Sequence, residues 1–291
     1  MSAHAADYPC PDAGLTIARH RAKPGILSQS KGNPLVNFTK TKPDMKRTLL
    51  GLVIVCAPLL AHAGCEDNFA KWTQQLQPGR ALDQDRAAVC KVWPANASLT
   101  IAALPLSRPG NTDIQGTDDL EVLVADTATG AIVAHRFEKS ALQFDAVAIR
   151  GLAIDTAPYQ LTPQQRAFGI RVDYDNMSRA SPYGAKALSL YVMEGSTLRA
   201  VLGGLKVKES GGEWDENCAA TMHEITRTIA MGAAGKSGYA ALKVTSRTET
   251  TVSELKAGNC VDRTKTARPS AVTLQYENGR YEVPKDMRYD E

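Results

Sequence analysis

The sequence holds no Cys-x-x-Cys pair, no Gly-x-Ser-x-Gly elbow and no His-Glu-x-x-His run, so three common catalytic or metal centres lack a local signature. A calcium loop of the Asp-x-Asp-x-Asp-Gly kind is also missing. Aromatic residues are sparse at 6%, and of the five histidines only His135 and His223 lie beyond residue 63. With so few nitrogen ligands a zinc site is not expected, and neither is any other metal or cofactor. No apolar run approaches the roughly 20 residues that a membrane-spanning helix needs.

The longest apolar run follows Met45-Lys46-Arg47 and ends at Ala61-His62-Ala63. A basic start, a short apolar stretch and an Ala-x-Ala site in that order predict a secretory signal peptide over residues 45–63. Gly51 and Pro58 would weaken a buried helix in the same place. Cys65 follows the cleavage site, but His62 occupies the position where a lipoprotein signal carries an apolar residue, so a lipid anchor is not expected. Residues 1–44 contain Pro11, Pro24, Pro34 and Pro43 and no sustained apolar period. They read as a disordered or non-native extension, with translation expected to start at Met45.

An excess of one charge is absent as well. The whole chain carries a formal net charge of +3, but beyond residue 63 it has 26 Lys and Arg against 28 Asp and Glu. The basic surplus belongs to the leader, which removes the electrostatic ground for nucleic acid or anionic membrane as a partner.

Four cysteines remain after the leader, Cys65, Cys90, Cys218 and Cys260. An even number suits an oxidising compartment, where four thiols allow three pairings. Cys65 and Cys90 flank a short stretch of helical spacing, and Cys218 and Cys260 bracket a strand-rich one. The expected pairs are therefore Cys65 with Cys90 and Cys218 with Cys260.

Two short helices in a hairpin are predicted over residues 64–95, from Phe69, Trp72 and Leu76, then Leu82, Ala87 and Val89, with Pro78-Gly79 between them. From residue 96 to 291 the period is that of strands, as in 98–104, 120–124, 131–137, 146–154, 167–174 and 188–193. Later runs at 198–202, 223–229, 239–246, 272–276 and 280–283 continue the pattern. Asp126 to Gly130, Glu194-Gly195-Ser196 and Asn278-Gly279 supply turns between them. The fold class is mainly β: an antiparallel all-β domain, sandwich-like or barrel-like, with a propeller-like meander as the alternative.

Several motifs suggest chemistry. Ala230-Met231-Gly232-Ala233-Ala234-Gly235-Lys236-Ser237 has the spacing of a relaxed phosphate loop, but the residues after it alternate like a strand instead of opening a helix. It reads as a glycine-rich hairpin turn. Acidic pairs occur at Asp118-Asp119, at Asp173 with Asp175, and at Glu213 with Asp215; carboxylates two apart on a strand share a face. Trp214, Tyr174, Tyr183 and Tyr191 concentrate the aromatics in the central third, where they offer a surface for glycans or peptides. The candidate ligand-binding residues are Trp214, Tyr183, Tyr191, Asp173 and Asp175, and no residue is assigned a catalytic role.

The runs 98–106, 159–169 and 211–218, the last reading Gly-Gly-Glu-Trp-Asp-Glu-Asn-Cys, together resemble an uncharacterised family of exported Gram-negative bacterial proteins. The resemblance implies export to the envelope and carries no activity. The expected function is that of a periplasmic or secreted binding protein without enzymatic activity, its partner an envelope protein or a glycan. One alternative is an envelope hydrolase using Asp173, Asp175 and Glu213; another is a purely structural envelope component.

Overall fold

The computed structural model describes residues 64–83, 86–112 and 114–289. The predicted leader and extension, residues 1–63, lie outside the described residues. None of the described helices is long and apolar enough to cross a membrane.

A 3-10 turn at Cys65–Asn68 runs into helix α1 (Phe69–Leu76). Trp72 on its buried face is 1% exposed and packs among Ala102, Leu104, Leu123 and Ala125, while its Nε1 donates to the Gly130 carbonyl at 2.8 Å. Of the predicted helical hairpin only this first half forms. After Gly79, in the left-handed region at φ +79°, no second helix forms among the described residues: Leu82 bridges to Leu106, and Val89–Val92 is a strand, β1. The spacing of Leu82, Ala87 and Val89 is five and then two, not three or four, and β-branched Val89 and Val92 suit the sheet edge that the next strand offers. Cys90 in β1 is bonded to Cys65, with Cα atoms 6.1 Å apart, so this disulfide pins α1 to the sheet.

The antiparallel all-β expectation holds for the rest. Strands β2 (Leu99–Leu106), β3 (Gly116–Asp126) and β4 (Ile132–Phe144) continue from β1 as one meander. A second is formed by β5 (Val147–Thr162), β6 (Gln165–Asn176), β7 (Tyr183–Glu194) and β8 (Thr197–Trp214). The meanders join through one parallel pair, His135 of β4 with Thr197 of β8, and at the other end β5 returns against β1 and β2. The path β1-β2-β3-β4-β8-β7-β6-β5 thus nearly closes into a barrel.

Period-two alternation builds its layers. Ile101, Ala103, Val122, Val124, Phe168, Ile170, Val172 and Tyr191 fill the interior. The intervening Ala102, Leu104, Leu123 and Ala125 face α1, while Leu188, Leu190, Val201 and Leu205 face a second outer layer. Because both faces are covered, these strands read as nearly continuous apolar runs.

The second outer layer begins where the end of β8 pairs with β9 (Ala220–Ala234). Strand β10 (Ala240–Lys256) pairs along β9, and its other edge takes β11 (Asn259–Thr266) and then β12 (Ser270–Leu274). Near the barrel β10 and β12 contribute Leu242, Val244 and Leu274 to the core. Farther out, β9, β10 and β11 form an arm on which all eight β11 residues are exposed. Cys218, before β9, is bonded to Cys260 in β11 with Cα atoms 5.7 Å apart. Both disulfides follow the pairing expected from the sequence.

A small hairpin, β13 (Tyr276–Glu277) and β14 (Arg280–Tyr281), turns at Asn278-Gly279 with both residues at positive φ. The chain then runs through a 3-10 turn at Lys285–Met287 to Tyr289.

Candidate functional site

The site begins with a disruption in β8. Leu188 of β7 pairs with Leu205, but Leu190 pairs with Leu202, so β8 carries one extra residue, with Gly203-Gly204 opposite Ser189. Gly204 adopts φ +63°, and a Cβ there would meet the Tyr289 carbonyl oxygen at 3.2 Å, so the bulge needs glycine for conformation and for clearance. Its N–H, lost to the ladder, donates to Ser189 Oγ at 3.1 Å. Into this gap comes the C-terminal strap: Arg288 bridges to Leu205, and the Tyr289 N–H donates to the Gly204 carbonyl at 2.8 Å. The Tyr289 ring then stacks on Tyr174, centroids 3.9 Å apart and planes 17° apart.

The strap divides two spaces. Outside it lies a recess of about 870 Å³, lined by Phe144, Tyr183 and Tyr289, by Lys206, Lys285 and Arg288, and by Gln143, Asp145 and Asp286. Inside, the barrel keeps a cavity of about 260 Å³ lined by Leu120, Leu142, Ile170, Val172, Ala187 and Tyr191, with Glu138 and Ser189 as polar members. Arg288 and Tyr289 line both.

The polar groups near these spaces are largely engaged. Tyr191 donates its hydroxyl to Glu138 at 2.9 Å, and burial first, then the Glu138 charge, raises the phenol well above its ordinary range. Glu138 also accepts from Arg136 Nε at 2.6 Å. Lys206 lies 2.6 Å from Glu209, and the same carboxylate meets Arg227 at 3.4 Å, so one anion is shared by two cations at the recess wall. Asp145 Oδ1 accepts the Val147 N–H at 2.9 Å within its own turn.

Behind Phe144 lies a second polar cluster. Asp118 and Asp119, the first of the acidic pairs in the sequence, are both buried in β3. Arg86 Nη1 reaches Asp83 at 2.8 Å and Asp118 at 3.0 Å, its guanidinium carbon 3.5 Å above the Phe144 ring. Burial, then the nearby Asp83 charge, pushes Asp118 up to about 6 against the opposing pull of Arg86 and Asn111. Burial also raises Asp119, but the Ser140 N–H at 2.7 Å and Arg80 at 2.8 Å outweigh it and leave the carboxyl below its ordinary range. Glu121, likewise buried, accepts from Gln77 at 2.8 Å and lies 2.9 Å from His135 Nδ1. These pairs tie the segment after α1 to the barrel and brace the recess wall.

The structure brings only two of the candidate ligand-binding residues from sequence to one groove, Tyr183 and Asp175. Tyr191 faces the inner cavity, and Tyr183 also lines the recess. Asp175 pairs with Arg150 at 2.6 Å and lines the shared groove with His223, Glu224 and Glu249. Asp173 pairs with Lys186 at 2.9 Å. Trp214 lies in a separate hollow toward the arm with Glu213 and Asp215. Glu213 accepts from Ser181 at 2.9 Å and also borders the groove next to that of Asp175. The phosphate-loop look-alike is the β9–β10 turn, closed by Gly235 N–H to the Tyr239 carbonyl at 2.8 Å. Cys65, Cys90 and Glu66 approach one another at metal-ligand spacing, but the disulfide occupies both sulfurs.

Sequence reasoning missed Phe144, Lys206, Lys285, Arg288 and Tyr289. One local signal was present, the Gly203-Gly204 pair inside an apolar strand, which marks a bulge or a close backbone approach. No protein-family model, curated protein or solved structure matches the chain.

Proposed function

We propose that this chain is a non-enzymatic binding protein of an oxidising, extracytoplasmic compartment, and that its ligand is a small molecule held in the recess at the barrel mouth. The observation that carries this reading is the recess itself. Its volume of about 870 Å³ lies in the range of small-molecule sites, and aromatic faces converge there with a few charged groups. The leader pattern and the two disulfides support export. A hydrolase built on Asp173, Asp175 and Glu213 gains no support from the geometry, because the two aspartates are held in ion pairs with Lys186 and Arg150.

The test is a fluorescence titration with anilinonaphthalene sulfonate, monitored by circular dichroism to keep the protein folded. Saturable binding that Tyr183→Ala weakens about tenfold or more, and that Trp214→Ala leaves unchanged, is the expected result. Absence of saturable binding, or loss of it only with Trp214→Ala, would remove the recess as the site.

A further inference from the structure

We infer that the recess and the cavity behind it form one site for an amphipathic anion, its head against Lys206, Lys285 and Arg288 and its apolar tail in the place of the Tyr289 ring. This inference rests on the recess being the ligand site.

The two compartments differ in chemistry. The inner cavity is walled mainly by apolar side chains such as Leu120, Leu142, Ile170, Val172 and Ala187. Its volume is about 260 Å³, and of its polar members the Tyr191 hydroxyl and Glu138 bond each other while Ser189 Oγ accepts the Gly204 N–H, so most of the remaining wall is apolar. An apolar chain gains most from such a space. The outer recess has the opposite character. Its lining carries three cations and two carboxylates, of which Lys285, Arg288, Asp145 and Asp286 are on exposed residues, and Asp145 accepts the Val147 N–H. Lys206 is only 13% exposed, and its partner Glu209 is shared with Arg227, which leaves net positive charge where screening is weakest.

Tyr289 is the only aromatic ring shared by the two linings. Its ring stacks on Tyr174, and its backbone N–H donates to the Gly204 carbonyl. An apolar tail arriving from the recess can take over the stack on Tyr174, so exchanging ring for tail preserves apolar contact. A saccharide would use the outer recess alone and leave Tyr289 in place.

Calorimetric titration with straight-chain carboxylates from butanoate to decanoate, and with decyltrimethylammonium, tests the inference. Affinity should rise about fourfold for each added methylene until the inner cavity is full. Decanoate should bind about tenfold or more tightly than the ammonium of the same chain. Tyr289→Ala, which removes the competing ring, should tighten decanoate more than butanoate and so steepen the chain-length series. Ala187→Leu, which fills the inner cavity, should flatten the chain-length series. If anilinonaphthalene sulfonate binds in the recess but the carboxylates show no chain-length dependence, the inference fails while the recess site stands. If neither class binds, both fail. Equal or tighter binding of the ammonium overturns the anionic head, and competition by maltotriose without a chain-length effect points to a glycan instead.

Discussion

Strand β2 inside the barrel and strand β11 on the arm each contain eight residues, yet in β2 all but one are buried and in β11 all are exposed. Burial accounts for the contrast in composition. Leu99-Thr100-Ile101-Ala102-Ala103-Leu104-Pro105-Leu106 lies between a packed interior and α1, so both of its faces must be apolar. Asn259-Cys260-Val261-Asp262-Arg263-Thr264-Lys265-Thr266 has solvent on both faces and holds its place through ladder hydrogen bonds, a Thr251–Thr264 contact of 2.8 Å and the Cys218–Cys260 bond. The barrel is stabilised by burial, the arm by covalent and ladder constraints.

This contrast can be broken most forcefully in the barrel. Phe168 is fully buried, edge-on to Trp93 at 5.7 Å and stacked on Tyr191 at 5.8 Å. Phe168→Ala should cost about 3–5 kcal/mol, read as a lower denaturant midpoint with all probes shifting together. Removing the arm's constraint comes next. A Cys218→Ser, Cys260→Ser double variant should lose about 2–4 kcal/mol, with hydrogen exchange accelerated in β9, β10 and β11 while the barrel amides keep their protection. Loss of barrel protection in that variant would show that the arm is not a separate unit of stability.

The smallest effect separates the two regions by pH. Asp118 titrates at about 6 in the fold and from 3.8 without it, so the folded state binds the extra proton between those values. Its contribution is fully present below about pH 4 and is lost as pH rises through about 6, a decline of about 1–3 kcal/mol. Asp118→Asn should flatten that part of the stability curve. On the arm, Arg247–Glu249 and Lys256–Glu254 are exposed pairs, and neutralising either should change stability by only about 0–1 kcal/mol. A slope that survives Asp118→Asn would assign it to another group.

What could be read from the sequence follows the same division. Strands covered on both sides announced themselves as apolar runs, and Asn278-Gly279 and Glu194-Gly195-Ser196 marked their turns. β11 has no sequence signal because a polar strand exposed on both faces lacks apolar alternation, and β1 does not continue a helix because Leu82, Ala87 and Val89 are spaced by five and two. Tyr183 and Tyr191 were legible as part of an aromatic concentration. The recess was not, since Phe144, Lys206 and Tyr289 come from three distant parts of the chain and meet only through the bulge at Gly204.

The single pair that joins the meanders, His135 with Thr197, sets an order of events. Within each meander every strand pairs with its sequence neighbour, so loops are short and closure entropy is small. The seam, by contrast, unites strands separated in sequence by β5, β6 and β7 and supplies one residue pair in return. Contacts of that kind form slowly, so closure of this seam is expected to follow pairing within the meanders, with the His135 amide gaining protection after those of β3 and β6 in pulse-labelled hydrogen exchange.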